Sequence, residues 1–83
     1  MKLRIHPHAR QRMWERGATV EDIRLTIASG RAILAKFGRT QFRRVFSFNS
    51  VWNGKKYARR QIDAFAVKIT EGWLVITVIV KYF

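Results

Sequence analysis

The chain has 83 residues, which is enough for one domain and too few for a second hydrophobic core. Hydrophobic residues make up 48% of it, a share that favours a compact core over a disordered chain. Its 17 lysine and arginine residues face only 5 acidic ones, and the net charge of +12 favours a polyanionic partner, most simply nucleic acid, or an acidic protein. The alternative is a basic surface that is only solvated.

The absence of cysteine excludes disulfides and cysteine-ligated zinc, and it fits a reducing cytoplasm. The first residues lack an apolar core of signal-peptide length. The apolar run at residues 73–80 is far shorter than the roughly 20 residues of a membrane-spanning helix. We therefore expect a soluble, cytoplasmic protein that does not contact membranes.

The first predicted elements are an extended segment at residues 2–5 and a short helix. Pro7 suits the first turn of a helix, and His6 before it is a candidate for a weak N-cap. The helix is predicted to run to Arg16, where Gly17 supplies the left-handed conformation that commonly ends helices.

A second helix is predicted to follow directly. Thr19 and Asp22 have the spacing of a capping box, in which each side chain bonds to the other residue's backbone N–H. Apolar residues then recur at helical spacing until Gly30, which ends the helix. The two helices form a short helical hairpin.

After Gly30 the hydrophobic pattern changes to the period of strands. It predicts strands at 31–37, 41–48, 57–70 and 73–83, with turns at 38–40 and 71–72 and a loop at 49–56. The last strand is apolar on both faces through residues 73–76, so we expect it in the middle of the sheet.

The predicted fold class is α+β, with two N-terminal helices packed on one face of a four-stranded, mostly antiparallel β-sheet. Residues 1–83 are expected to form a single domain, since there is no repeat, no low-complexity segment and no linker.

Metal and cofactor chemistry finds little support in the residues. His6 and His8 are separated only by Pro7, and no cysteine or carboxylate cluster completes a tetrahedral site. No glycine-rich loop leads from a strand into a helix, so a phosphate cradle is absent from the pattern. The sequence therefore predicts no metal and no cofactor.

A candidate catalytic edge lies on the first helix. His8, Arg12 and Arg16 follow one another at spacing four, so they share one side of the helix, with Glu15 beside them. Histidine can exchange a proton near neutral pH, and arginines can stabilise the charge that develops on a phosphate during RNA cleavage. Glu15 is a candidate base or an ion-pair partner. The alternative is that His8 only faces solvent and that the arginines lie over Trp14.

A second basic set lies on the predicted strands and includes two aromatic residues. Basic residues beside exposed aromatics suit single-stranded RNA, whose phosphates pair with cations and whose bases stack. The candidate RNA-binding residues are Arg43, Arg44, Trp52, Lys55, Lys56, Arg59, Arg60, Lys81 and Tyr82. For the phenylalanines of the second strand the core is the preferred interpretation.

The opening helices resemble a known family pattern. The run His8-Ala9-x-x-Arg12-Met13-x-Glu15-Arg16-Gly17, followed by a threonine-capped helix with Glu21-Asp22-Ile23, resembles the signature of domain of unknown function 4258. The likeness covers about the first 30 residues. That family is itself similar to RelE-like toxins and to small metal-independent RNases with two helices on a four-stranded sheet.

The resemblance implies an RNase-type toxin that pairs with an acidic antitoxin encoded nearby. It would make His8, Arg12 and Arg16 the motif residues, with Glu15 as their acidic companion. The pair Lys81-Tyr82 resembles the C-terminal tyrosine that some RelE-like toxins use.

Three hypotheses follow. The first is a metal-independent endoribonuclease toxin that cleaves RNA, with ribosome-associated mRNA as one candidate substrate. The second is a non-catalytic RNA-binding module whose arginines only contact phosphates. The third is an interaction protein whose basic face receives an acidic partner.

Overall fold

A computed structural model describes residues 2–83 of the chain. Its elements are, in chain order, β1 (Lys2–Ile5), α1 (Pro7–Arg16), α2 (Val20–Ser29), β2 (Arg31–Leu34), a 3₁₀ turn (Lys36–Gly38), β3 (Thr40–Trp52), β4 (Lys55–Ile69) and β5 (Gly72–Tyr82).

Both helices begin and end where the sequence predicts. The backbone N–H of His8 donates to Nδ1 of His6 at 3.1 Å, so His6 is the N-cap of α1. Gly17 ends α1 with a φ of 75°, which only glycine adopts without strain. Thr19 and Asp22 form the predicted capping box of α2, with bonds of 3.1 and 3.0 Å.

The sheet has five strands in the order β1-β5-β4-β3-β2, and β1 pairs with β5 in parallel. The predicted four-stranded, mostly antiparallel sheet is therefore wrong, although the α+β arrangement of two helices on a sheet is correct. The missed strand has only four residues, and its partner begins at Gly72, far along the chain. Parallel strands are joined by a long crossover and not by a tight turn, so no turn residues in the sequence indicate that they pair.

The hairpin of β3 and β4 extends through most of the loop predicted at residues 49–56. Asn53 and Gly54, with φ of 50° and 79°, form the two-residue turn between the strands. The pairing register shifts between Ser47 and Ser50, where Asn49 has a φ of 44°. This β-bulge lets pairing continue past the polar residues that suggested a loop.

The helices pack on one face of the sheet, which we call the covered face; the opposite face is the open face. Cross-strand partners Phe42, Ala64 and Val78 lie on the covered face. The buried core residues are Ala9, Met13, Ala18, Ile23, Ile27, Phe42, Ile62, Ala64, Ala66, Val75 and Val78. The core thus fills the layer between helices and sheet.

Strand β5 lies inside the sheet, as predicted, but β1 covers only part of it. Their pairing ends at Ile5 opposite Val75, after which the chain turns into α1. The second half of β5 is hydrogen-bonded to β4 alone and forms a free edge below α1.

No helix in residues 2–83 is long and apolar enough to cross a membrane.

Candidate nucleic-acid interface

A shallow groove runs along the exposed side of α1. His8, Gln11, Arg12 and Glu15 line it, and its volume is about 270 Å³. Their positions i, i+3, i+4 and i+7 place them on one side of the helix. The groove combines a titratable imidazole, a carboxylate and a guanidinium, which are the group types that metal-independent RNA cleavage needs.

Arg16, which the helical spacing assigns to the same edge, is held by the sheet. Its Nη1 donates to the carbonyl oxygen of Val78 at 3.3 Å. This carbonyl lies on the half of β5 that β1 leaves uncovered, so the guanidinium satisfies an acceptor at a free strand edge. The predicted edge therefore divides: His8 and Arg12 face the groove, while Arg16 docks α1 on β5.

The groove residues are exposed and loosely held. The His8 ring meets the His6 ring edge-on, with the ring centroids 5.2 Å apart. Within residues 2–83, no side chain hydrogen-bonds to the His8 imidazole, and Glu15 forms no ion pair. The side chains are grouped for chemistry but are not fixed in one geometry by neighbours.

The open face carries three of the predicted RNA-binding residues: Arg43, Arg59 and Lys81. Arg43 forms a bidentate pair with the buried Asp63, with distances of 2.7 and 3.3 Å. The hydrogen bond and the charge of Asp63 raise the pKa of Arg43. Arg59 and Lys81 are exposed and form no ion pair among the described residues, so they are available to phosphates.

Arg60, also a predicted RNA-binding residue, is instead built into the junction of the two helices. Its Nη1 donates to the carbonyl oxygen of Gly17 at 2.9 Å, and its Nη2 lies 3.1 Å from Oδ2 of Asp22. The guanidinium also lies near the rings of Phe46 and Phe48, at 5.3 and 5.7 Å from their centroids. With its side chain 13% exposed, Arg60 ties β4 to the connection between α1 and α2.

Tyr82 and Trp52 belong to the same junction. The Tyr82 hydroxyl donates to the carbonyl oxygen of Arg16 at 2.6 Å, and burial raises the pKa of this phenol. The Trp52 ring stacks on Tyr82 with centroids 5.1 Å apart and planes 12° apart. A Cβ on Gly17 would lie 2.7 Å from the Trp52 ring, so the glycine is needed for this approach. Trp52 already has a stacking partner inside the protein.

The remaining predicted residues lie on β3 and the hairpin. The Arg44 guanidinium is 4.6 Å from the Phe46 ring centroid, and the Lys55 ammonium is 5.5 Å from that of Tyr57. Lys56 is exposed beside the turn. Arg44 therefore packs along the covered face, whereas Lys55 and Lys56 extend the basic surface along the hairpin.

Sequence reasoning missed Gln11, which lines the groove between His8 and Arg12. Its spacing of three from His8 places it on the same side of the helix, but an uncharged amide has no titratable group that indicates chemistry. Two ion pairs were also missed, that of Arg43 with Asp63 and that of Arg60 with Asp22. Pairs across strands or between a helix and a sheet leave no spacing signal in the chain.

In residues 2–83 no three His, Cys, Asp or Glu side chains are grouped as ligands for a metal ion. Comparison of the chain with protein-family models, with curated proteins and with solved structures gives no match.

Proposed function

We propose that this chain is a toxin-type endoribonuclease that binds RNA and cleaves it without a metal at the α1 groove, in the cytoplasm. The observation that carries the proposal is the grouping of His8, Arg12 and Glu15 around one groove on a protein of net charge +12. The resemblance of the first helices to domain of unknown function 4258, and through it to RelE-like toxins, supports the same activity.

The reaction needs two proton transfers and one cation. A base takes the proton of the ribose 2′-hydroxyl, whose oxygen attacks the adjacent phosphorus, and an acid protonates the leaving 5′-oxygen as the P–O bond breaks. The products are a 2′,3′-cyclic phosphate and a 5′-hydroxyl. His8 and Glu15 supply the two proton-transferring groups, and Arg12 stabilises the charge on the phosphoryl oxygens.

The cations of the open face and of the hairpin form a second binding surface. Phosphates of the RNA backbone bind to Arg59 and Lys81 on the open face and to Lys55 and Lys56 on the hairpin. These contacts account for affinity, while the groove accounts for cleavage. An acidic antitoxin is the partner that the resemblance and the charge both support, because it would neutralise the same cations.

The test compares how fast the wild type and variants of the two histidines cleave a labelled single-stranded RNA in the presence of EDTA. We expect cleavage by the wild type and a loss of about 100-fold or more in His8→Ala. His6→Asn is the matched control, since it removes the other imidazole and keeps an N-cap acceptor for α1. Circular dichroism of each variant checks the fold.

Two outcomes would remove the nuclease proposal. One is RNA that stays intact with wild-type protein, both alone and with ribosomes. The other is equal cleavage by wild type and His8→Ala, because the activity would then come from elsewhere.

The second candidate function is RNA binding without cleavage. The missing orienting bond on His8 and the engagement of Arg16 by Val78 favour it, because a catalytic imidazole usually has its ring fixed. Here RNA binds equally well to wild type and His8→Ala and stays whole. With Arg12, Arg59 and Lys81 as contacts, log K falls against log salt with a slope of about −2. A flat salt response would count against phosphate binding altogether.

A further inference from the structure

The edge of the sheet farthest from β1 exposes two large apolar side chains, three residues apart in the chain. Leu34 at the end of β2 is 92% exposed, and Phe37 in the following turn is 85% exposed. We propose that the β2 edge surface, formed by residues 31–39, binds an extended segment of an acidic partner protein, which adds to the sheet as a sixth strand. The proposal does not depend on RNA cleavage or RNA binding.

Strand β2 offers a free edge. It pairs with β3 on one side only, over Arg31–Leu34. Ala35 N–H donates to the carbonyl oxygen of Arg39, and hydrogen-bonded pairs alternate from there along the antiparallel ladder. The backbone groups of Ala32 and Leu34 therefore point outward. Such unpaired groups are a template for an added strand.

A groove lies on each side of this edge. The one on the covered face has a volume of about 390 Å³ and is lined by Ala32, Ile33, Leu34, Thr40, Phe42 and Trp73. The other, of about 350 Å³, is lined by Ala35, Lys36, Phe37, Arg39, Gln41 and Phe65. Successive side chains of a strand point to opposite faces, so one added strand would place apolar side chains beside both grooves.

The conformation of Phe37 adds a second observation. Its φ of 62° and ψ of 35° are left-handed, a conformation that is strained for a bulky side chain. Glycine or asparagine would satisfy the turn at lower cost. The structure thus places a strained aromatic residue in solvent, next to the free edge, where it contributes little to the core.

The charge around the surface selects an acidic segment. Arg31 and Lys36 are exposed at the edge, Arg39 is partly exposed, and Lys68 lies 5.0 Å from the Trp73 ring centroid. No aspartate or glutamate lines either groove. Two copies of this chain would bring net charges of +12 each to a shared edge, which disfavours self-pairing. The mostly apolar lining favours a peptide over RNA.

The free half of β5 is the contrasting edge. Arg16 already covers the carbonyl of Val78 there, and α1 lies above it. At β2, within residues 2–83, no side chain hydrogen-bonds to the backbone of Ala32 or Leu34. The two edges lie on opposite sides of the sheet, so a segment confined to β2 leaves the α1 groove open.

The experiment selects binders from a displayed library of randomised twelve-residue peptides on the full-length protein. The enriched peptides are then synthesised and titrated by fluorescence anisotropy. We expect a run of consecutive apolar residues, whose side chains reach both grooves, flanked by aspartate or glutamate. Their Kd should rise roughly tenfold or more in Leu34→Glu and in Phe37→Ser. N-methylation of the alternate peptide residues whose N–H groups face β2 should abolish binding, since the added strand needs those backbone donors.

Val51→Glu is the matched control, because Val51 is 60% exposed on the distant part of β3. It should leave the Kd within about twofold. Leu34 and Phe37 are solvent-exposed, so their variants should melt like the wild type. The direct peptide titration contains no RNA, so its result is separate from that of the nuclease test.

Several outcomes would overturn the proposal. Failure to enrich any peptide, enrichment of basic peptides, or binding that ignores Leu34→Glu would each do so. A wild-type dimer that Leu34→Glu dissociates would make a second copy the occupant instead. Displacement of the selected peptides by oligouridine, with direct oligouridine binding lost in Leu34→Glu, would assign the surface to nucleic acid.

Discussion

The helix junction and the α1 groove use the same residue types for opposite purposes. At the junction, Arg60 has a carboxylate and a carbonyl as partners, and Tyr82 donates to the last residue of α1. In the groove, Arg12 and His8 are exposed and face solvent. Arginine therefore stabilises the fold in one place and remains available to a ligand in the other. Net charge alone does not separate these two uses.

The largest expected effect comes from Arg60→Met. It removes the cation that pairs with Asp22 and the donor to the Gly17 carbonyl, so Asp22 keeps only the capping bond from the Thr19 N–H. Because the Arg60–Asp22 ion pair is largely buried, breaking it should lower the free energy of unfolding by about 3 kcal/mol. Urea denaturation measures the loss. The neighbouring exposed Arg59→Met is the control and should change stability by about 0.5 kcal/mol at most; equal losses in both would erase the difference between the two regions.

A smaller effect is expected for Tyr82→Phe. The carbonyl of Arg16 loses its donor while the ring stack with Trp52 is kept, so the loss should be about 1–2 kcal/mol. Chemical denaturation at neutral pH gives this value. Tyr57→Phe, in the same aromatic cluster, is the matched control; a loss as large as that of Tyr82→Phe would show that the hydroxyl bond is unimportant.

The same tyrosine predicts a pH dependence. Burial raises the pKa of Tyr82 above its ordinary value of 10.0, so the folded state favours the neutral phenol. The stability that Tyr82 contributes is full below pH 10 and is lost as the pH rises through the folded-state pKa. Unfolding curves of wild type and Tyr82→Phe should therefore converge above pH 10. Curves that stay parallel there would contradict the raised pKa.

The smallest effect on stability is expected in the groove. Arg12→Gln should leave the free energy of unfolding within about 0.5 kcal/mol, because the side chain is exposed. Its effect should appear in RNA binding, where losing one phosphate contact to a single strand reduces the salt slope by about 0.7. Filter binding across a salt series measures this slope, and Arg24→Gln on the exposed side of α2 is the control. An unchanged slope would remove Arg12 from the interface.

Local signals predicted the helices well. Pro7, Gly17 and the Thr19–Asp22 box act within a few residues, and each ends or begins a helix where expected. The sheet was harder to predict, because the parallel pairing of β1 with β5 depends on residues far apart. The prediction of a loop from Asn49 onward was wrong, because the left-handed conformation of Asn49 is accommodated by a β-bulge within β3.

The candidate site shows the same limit. Helical spacing was enough to place His8, Arg12 and Glu15 on one side of α1. It could not show that Arg16 hydrogen-bonds to the carbonyl of Val78, or that the Trp52 ring stacks on Tyr82. Both contacts join segments that are distant in the chain. The residues whose partners come from another element are those whose contacts the sequence could not predict.

The parallel pairing of β1 with β5 also constrains the order of folding. Lys2 and Gly72 are partners, and α1 rests on β5 through contacts such as Arg16 to Val78. During synthesis the first strand and first helix therefore leave the ribosome well before the strand on which they dock. Contacts this distant in sequence slow folding, because a long loop must close before they form. The groove on α1 thus acquires its support only when β5 has emerged.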